Sequence, residues 1–297
     1  MKPDAPAPTR LPDVVLEPAP AIDAYLGGYL DALGLTPTLD DAVRYALLGG
    51  GKRVRPVLAW WSGVAVGGDG EATLPAGAAI EMVHAFSLVH DDLPAMDDDD
   101  LRRGRPTLHV RSGEAMAILA GDAMLAMAFG ALRGAPDGLL GPLTDELLAG
   151  TNAMISGQIF DTLGGLGGEG TEVDRLETIH RNKTGALIRA ACRMGGLLGG
   201  GGEEAIDHLS RYGEAIGLMF QVVDDLLDVE ACASRTGKRT GKDAEAGKLT
   251  YPSVLGVEGA RSAVARLGAE AREAIGAFGA RGAALSDLAG YLERRGA

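Results

Sequence analysis

His90-Asp91-Asp92-Leu93-Pro94-Ala95-Met96-Asp97-Asp98-Asp99-Asp100, followed at once by Leu101-Arg102-Arg103-Gly104-Arg105, is the stretch on which the fold assignment turns. It sits directly after an apolar helical run and puts six carboxylates into ten residues. Carboxylates at that density repel one another, so a fold that gathers them depends on a bound cation, Mg²⁺ or Ca²⁺ being the hard ions that oxygen ligands suit. Arg102, Arg103 and Arg105 add planar donors matched to phosphate oxygens. Acidic and basic groups side by side imply a metal-chelated polyphosphate, in which Mg²⁺ is held by one or two carboxylates plus substrate phosphates. Alone, the run would also suit a solvated acidic turn between two helices.

A second acidic site separates these alternatives. In Phe220-Gln221-Val222-Val223-Asp224-Asp225-Leu226-Leu227-Asp228, positions 221, 224, 225 and 228 follow the spacing that places them on one helix face. Asp224 and Asp228 are then about 6 Å apart along the axis. A polar face within an apolar run is costly unless it lines a wet or metal-filled cavity.

The two clusters, DDxxxxD from Asp91 to Asp97 and DDxxD from Asp224 to Asp228, resemble those of the trans-prenyltransferases, the polyprenyl (isoprenyl) diphosphate synthase family. Gly50-Gly51-Lys52-Arg53-Val54-Arg55-Pro56, Glu81-Met82-Val83-His84, Lys183-Thr184-Gly185 and Thr236-Gly237-Lys238 are similar to further motifs of that family, in family order, over roughly residues 45 to 255. The resemblance implies an all-α fold, an isoprenoid synthase-type helical bundle around a central cavity, and a homodimer. It is closest in kind to farnesyl diphosphate synthases.

Composition sets the outer limits. The 297 residues, 46% hydrophobic but only 4% aromatic, leave packing to Leu, Ala, Val and Met. Residues 1 to 20 hold six of the fourteen prolines and are expected to form a disordered arm, with residues 21 to 297 a single domain. A net charge of −13 argues against nucleic acid as a partner, so the local cations point to a small anion. Two cysteines, Cys192 and Cys232, and no apolar leader or uncharged apolar run of spanning length suggest a cytoplasmic protein without stable membrane association.

Along the chain, a helix is expected from about Leu39 to Leu48, stopped by Gly49-Gly50-Gly51. Lys52 and Arg55 flank the next helix start, where backbone N–H groups and two cations make an anion pocket; two solvated surface cations would give the same signal. His84, Ser87 and Asp91 share a face of the helix expected from Leu74 to Asp92, although a lone helical histidine is commonly a structural residue. Asp91 and Asp97 diverge by roughly 120° on an ideal helix, so Pro94 must end or bend it for both to serve one site. Gln158 and Asp161 resemble a cavity-lining segment, and ordinary helix-surface polarity explains them nearly as well. Thr171-Glu172-Val173-Asp174 has the form of a helix start. A kink at Lys183-Thr184-Gly185 would free a backbone carbonyl and a hydroxyl. Residues 236 to 248 are too polar for a core and suit a lid carrying Lys238 and Lys248. No strand alternation with hairpin chemistry is evident.

The roles implied by the resemblance are specific. Asp91, Asp97 and Asp224 ligate Mg²⁺, three ions per site, and the ions with Arg102, Lys183 and Lys238 hold the diphosphate of an allylic substrate. Lys52, Arg55, His84 and Arg103 hold isopentenyl diphosphate, and Lys248 closes over the site. The Lys183 carbonyl, the Thr184 hydroxyl and the Gln221 amide oxygen stabilise an allylic cation by dipoles. Asp92, Asp225 and Asp228 act through water or other ligands. Phe86, with Ser87 beside it, limits chain length, so farnesyl diphosphate is the expected product and geranylgeranyl diphosphate the alternative. Geometry places Phe86 about 140° from Asp91, on the flank of a tunnel, and leaves a core aromatic open.

Three other functions are weaker. A class I terpene cyclase would not need Lys52 and Arg55 beside a second DDxxD. A non-catalytic synthase subunit commonly loses part of one motif, and Ca²⁺ binding lacks the EF-hand Gly and Glu. The segment Val229 to Ser234 departs from the family by lacking a Gly-Asp pair.

Overall fold

The computed structural model describes residues 10–165, 170–234 and 249–296. Its helices are α1 (Asp13–Leu16), α2 (Ala19–Leu33), α3 (Pro37–Leu47), α4 (Val54–Ala65), α5 (Leu74–Asp91), α6 (Leu108–Ser112) and α7 (Glu114–Ala131). They continue with α8 (Leu140–Leu163), α9 (Glu172–His180), α10 (Ala186–Leu198), α11 (Glu203–Ser234), α12 (Tyr251–Gly276) and α13 (Ala283–Arg295). Proline in the first turn opens α2, α3, α5 and α12, where its missing N–H would have no intrahelical partner anyway. Thr171 and Asp174 form the expected capping box at α9, and Thr250 with Ser253 forms another at α12.

Two sequence expectations change. The proline-rich arm becomes helical from Asp13, and Leu11 and Val15 are buried, because these apolar side chains sit close enough together to fund burial among the prolines. A two-stranded antiparallel ribbon, β1 (Leu101–Arg102) with β2 (Arg105–Pro106), also occurs where no hairpin was expected. Two-residue strands are too short to show alternation. Its turn is Arg103-Gly104, both at positive φ of 55° and 75°, the geometry that matches hairpin twist. Among the described residues this is the only β structure, and the chain is otherwise all-α.

Contacts divide the chain into two units, Met1–Val15 with Ala149–Cys192 and Glu203–Ala297, and Leu16–Leu148 with Arg193–Gly202. In the second of these, α5 is buried along most of its length, which its apolar sequence on every face requires. By length and composition alone the segments Glu71–Asp91 and Glu114–Gly134 could cross a membrane, at mean hydropathy 1.3 and 1.8; burial of the former marks it as a core helix. The first unit buries Tyr212 of α11 completely, with its hydroxyl donating to the Leu285 carbonyl at 2.7 Å.

Candidate active site

The glycine loop before α4 gathers one group of the expected site residues. Arg53 takes the left-handed conformation at the N-cap of α4, φ 49°, which turns its side chain inward between the two flanking cations. There it donates to Glu81 Oε1 of α5 at 2.8 Å and to Asp23 Oδ1 at 2.7 Å. Glu81 lies on a helix otherwise apolar at this level, so without Arg53 it would be a buried, uncompensated charge.

His84, one turn beyond Glu81, faces four arginines. Its pKa is held well below the usual histidine range, first by burial and then by the charges of Arg55, Arg103, Arg102 and Arg53. The imidazole is therefore neutral and lies within a field built for an anion. Arg55 itself is pushed down by burial, against the pull of Glu81, and its Nε meets no hydrogen-bond partner, so a buried donor remains for a ligand to satisfy. Arg53, Glu81, His84 and Arg103, with Gly49 and Gly50 among others, line a cavity of about 70 Å³. Arg103 donates to the Gly50 carbonyl and partly fills it. Lys52 is exposed beside this loop.

The first aspartate motif is built by the end of α5, which stops at Asp91 as Pro94 requires. The chain folds back so that the Asp97 amide donates to the Asp91 carbonyl at 2.8 Å, bringing the two proposed metal ligands together through the backbone. Asp91 is half-buried and Asp97 exposed. Asp92 instead turns inward and holds Arg102 Nε at 2.8 and 3.0 Å. Burial pushes the Asp92 carboxyl up even against that guanidinium, and Arg102 is raised by its hydrogen bond to Asp92 despite its own burial. Ser87 donates to the His84 carbonyl, and Phe86 stands edge-on to His90 at 5.8 Å.

A further group of expected site residues lies in the other unit. A π-helical turn spans Arg181–Gly185, the irregularity expected at Lys183-Thr184-Gly185, and such turns release a backbone carbonyl from the regular ladder. Gly157 of α8 faces it; a Cβ there would collide with the Lys183 backbone. Lys183 Nζ pairs with Asp161 Oδ2 at 2.6 Å, which gives Asp161 a partner sequence alone did not assign. The Thr184 hydroxyl donates to the Gln221 amide oxygen of α11. Gln158 of α8 is half-buried, with both of its buried amide atoms lacking a hydrogen-bond partner.

On α11 the aspartates divide as in the first motif. Asp224 and Asp228 are exposed, whereas Asp225 is buried and accepts from the Tyr251 amide at the start of α12, 2.9 Å, with His180 Nε2 3.7 Å away. Helical spacing predicts one shared face for all three; the turn between adjacent residues is enough to send Asp225 inward. Among the described residues no three His, Cys, Asp or Glu side chains converge on one point. Lys238 and Lys248 lie outside the described residues. Sequence reasoning missed the inward role of Arg53 and that of Tyr45, described below; an arginine between two cations expected to bind ligand and a tyrosine four residues before the glycine run carried no separate signal.

Comparison with known proteins follows the same lines. The profile of the polyprenyl synthetase family matches residues 36–275. Geranylgeranyl pyrophosphate synthase 11, chloroplastic, of Arabidopsis thaliana is 47% identical over 267 residues, 87% of this chain and 75% of that protein. Two solved structures superpose at a TM-score of 0.83: a geranyltransferase from Legionella pneumophila, 33% identical and covering 95% of this chain and 96% of the other, and a geranylgeranyl pyrophosphate synthetase from Pyrococcus horikoshii, 30% identical with 95% and 97% covered. The fold is thereby the isoprenoid-synthase helical bundle. The expected cytoplasmic location is overturned, since the curated relatives at 42–47% identity are named chloroplastic. A low cysteine count is compatible with several compartments and does not single one out.

Proposed function

The chain belongs to the polyprenyl synthetase family and is a short-chain trans-prenyltransferase, and from that premise we propose that it makes geranylgeranyl diphosphate from isopentenyl diphosphate and shorter allylic diphosphates. One observation carries the choice of product: relatives sharing 42–47% identity over 86–87% of this chain are named geranylgeranyl pyrophosphate synthases. The farnesyl expectation rested on Phe86 as a tunnel floor. Its edge-on packing against His90, whose ring lies against Gly121 of α7, supports the role of a core aromatic instead.

In this reading Lys52, Arg55, His84 and Arg103 bind the diphosphate of isopentenyl diphosphate, and neutral His84 contributes a donor rather than a charge. Arg102 and Lys183, with Lys238 and Lys248, bind the allylic diphosphate. Asp91, Asp97 and Asp224 are oxygen donors of the kind Mg²⁺ takes, whereas Asp92 and Asp225 are engaged by Arg102 and by the Tyr251 amide. Bound Mg²⁺ would neutralise charge on the leaving diphosphate.

As the allylic C–O bond breaks, its electron pair leaves with the diphosphate. The Lys183 carbonyl, the Thr184 hydroxyl and the Gln221 amide oxygen present dipoles to the cation, stabilising it without capturing it. The double bond of isopentenyl diphosphate then attacks, and the proton lost in forming the new double bond goes to the released diphosphate. Exposed Ile118 and Leu119 on α7, and Ile155 and Ile159 on α8, support the further proposal of a homodimer.

Product analysis tests the reading. Purified protein with Mg²⁺, isopentenyl diphosphate and, separately, dimethylallyl, geranyl and farnesyl diphosphate should yield the twenty-carbon product from all three. Accumulation of farnesyl diphosphate with farnesyl primer left unused would return the assignment to the shorter product. No use of isopentenyl diphosphate, or turnover indifferent to chelator, would refute the mechanism.

A further inference from the structure

We propose that Tyr45 is a positioning residue for isopentenyl diphosphate, holding the ribbon that carries Arg102 and Arg103 against the glycine loop. The proposal rests on the prenyltransferase reading above and deepens it.

The ribbon cannot hold itself. It has two residue pairs, Leu101 with Pro106 and Arg102 with Arg105, and Leu101 and Arg103 to Pro106 are exposed. A two-stranded hairpin of this size has little stability of its own. Yet its tip, Arg103, must meet the glycine loop at Gly50 to border the anion cavity. The orientation therefore comes from neighbours.

Tyr45 of α3 supplies two of these contacts and orders a second cation beside them. Its hydroxyl donates to the Pro106 carbonyl at 2.7 Å, pinning the end of β2. The guanidinium carbon of Arg105 lies 4.2 Å from its ring centroid, and from there Arg105 Nη1 donates to the Gly49 carbonyl at 2.7 Å. The guanidinium of Arg111 lies 4.2 Å from the same centroid and is held by Asp41, four residues before Tyr45 on the same helix, at 2.9 Å. A flat electron-rich ring thus orders two cations that would otherwise repel one another, one of which bridges ribbon and glycine loop. Tyr45 also borders the cavity itself.

No proton or covalent step is assigned to Tyr45. It acts through Arg103, and its loss should weaken binding of the one substrate that Arg103 holds. Arg102 keeps its separate anchor on Asp92, so the allylic substrate is less affected. Tyr45→Leu removes ring and hydroxyl, whereas Tyr45→Phe keeps the ring.

Initial rates and calorimetric titration with isopentenyl diphosphate, on the full chain, make the test. Tyr45→Leu should raise KM and Kd for isopentenyl diphosphate about tenfold, with KM for the allylic substrate within about twofold of wild type, and Tyr45→Phe should restore most of the loss. Unchanged KM and Kd, an equal rise for both substrates, or Phe no better than Leu would overturn the proposal. Should the Leu variant fail to fold, Arg111→Gln removes one cation from the ring and is scored by the same split, a smaller selective rise supporting the idea and no rise overturning it. A wild-type protein that binds isopentenyl diphosphate without condensing it would count against the prenyltransferase function, while the variant Kd values still judge Tyr45. Absence of binding by the wild type would end both.

Discussion

Replacing Glu81 by Leu should unfold the protein far more readily than its single lost hydrogen bond suggests. The Arg53 and Glu81 side chains are 4% and 6% exposed and meet at 2.8 Å, so water screens neither. Removing the carboxylate leaves a buried guanidinium whose remaining partner, Asp23, is 54% exposed and already engaged. Loss of one member of a buried pair costs about 3–5 kcal/mol, chiefly through the charge left behind. For a chain of this size that corresponds to a fall in Tm of roughly 6–20 °C. Arg53→Met should cost a similar amount by stranding Glu81. The double variant Arg53→Met with Glu81→Leu removes both charges and should recover most of either loss, since apolar replacement of a whole buried pair is often close to neutral. Thermal unfolding of the four proteins makes a double-mutant cycle. If Glu81→Leu melts within about 2 °C of wild type, or the two losses simply add, burial of an ion pair is not what holds the α4 start against α5.

Three further expectations follow from other parts of the site. Gly157→Ala should lower kcat at least tenfold with a stability loss of about 1–3 kcal/mol, because the added methyl displaces the Lys183 backbone of the π turn; wild-type kcat in a folded variant would disconnect that turn from catalysis. Phe86→Ala should cost about 3–5 kcal/mol and leave product length unchanged, whereas longer products on chromatography would restore Phe86 as the tunnel floor. His84, whose folded pKa lies below the unfolded value of 6.5, binds fewer protons folded than unfolded, so stability is full above that value and declines as pH falls toward the folded pKa. Between roughly pH 6.5 and 5.5 the wild type should lose about 1 kcal/mol that His84→Gln does not lose, and parallel melting curves for the two would show that His84 is not shifted.

Much of the fold was legible because its signals are local. Proline in first turns, the Thr171–Asp174 capping box, the stop of α5 before Pro94 and the break at Lys183-Thr184-Gly185 each depend on a few adjacent residues and their backbone preferences. The helix of residues 13–16 was not legible, because its proline content outweighs a short apolar pattern until burial of Leu11 and Val15 is known. The 101–106 ribbon was hidden by its shortness. The surroundings of Phe86 were not legible, since periodicity gives the angle of a side chain on its own helix and not what the ring then packs against.

The amino-acid order alone determined which chemical groups this protein carries: two separated aspartate clusters, cations after the glycine run and the Lys183-Thr184-Gly185 sequence are covalent facts, and their family match needs no coordinates. Only the tertiary structure decided how equivalent-looking residues divide their work. Asp91 and Asp92, like Asp224 and Asp225, are neighbours of identical type, yet in each pair the second is turned inward, to Arg102 in one case and to the Tyr251 amide in the other. Adjacent positions on a helix differ by about 100° in direction, so which of two aspartates meets solvent and which meets a buried donor depends on what the rest of the fold places beside them.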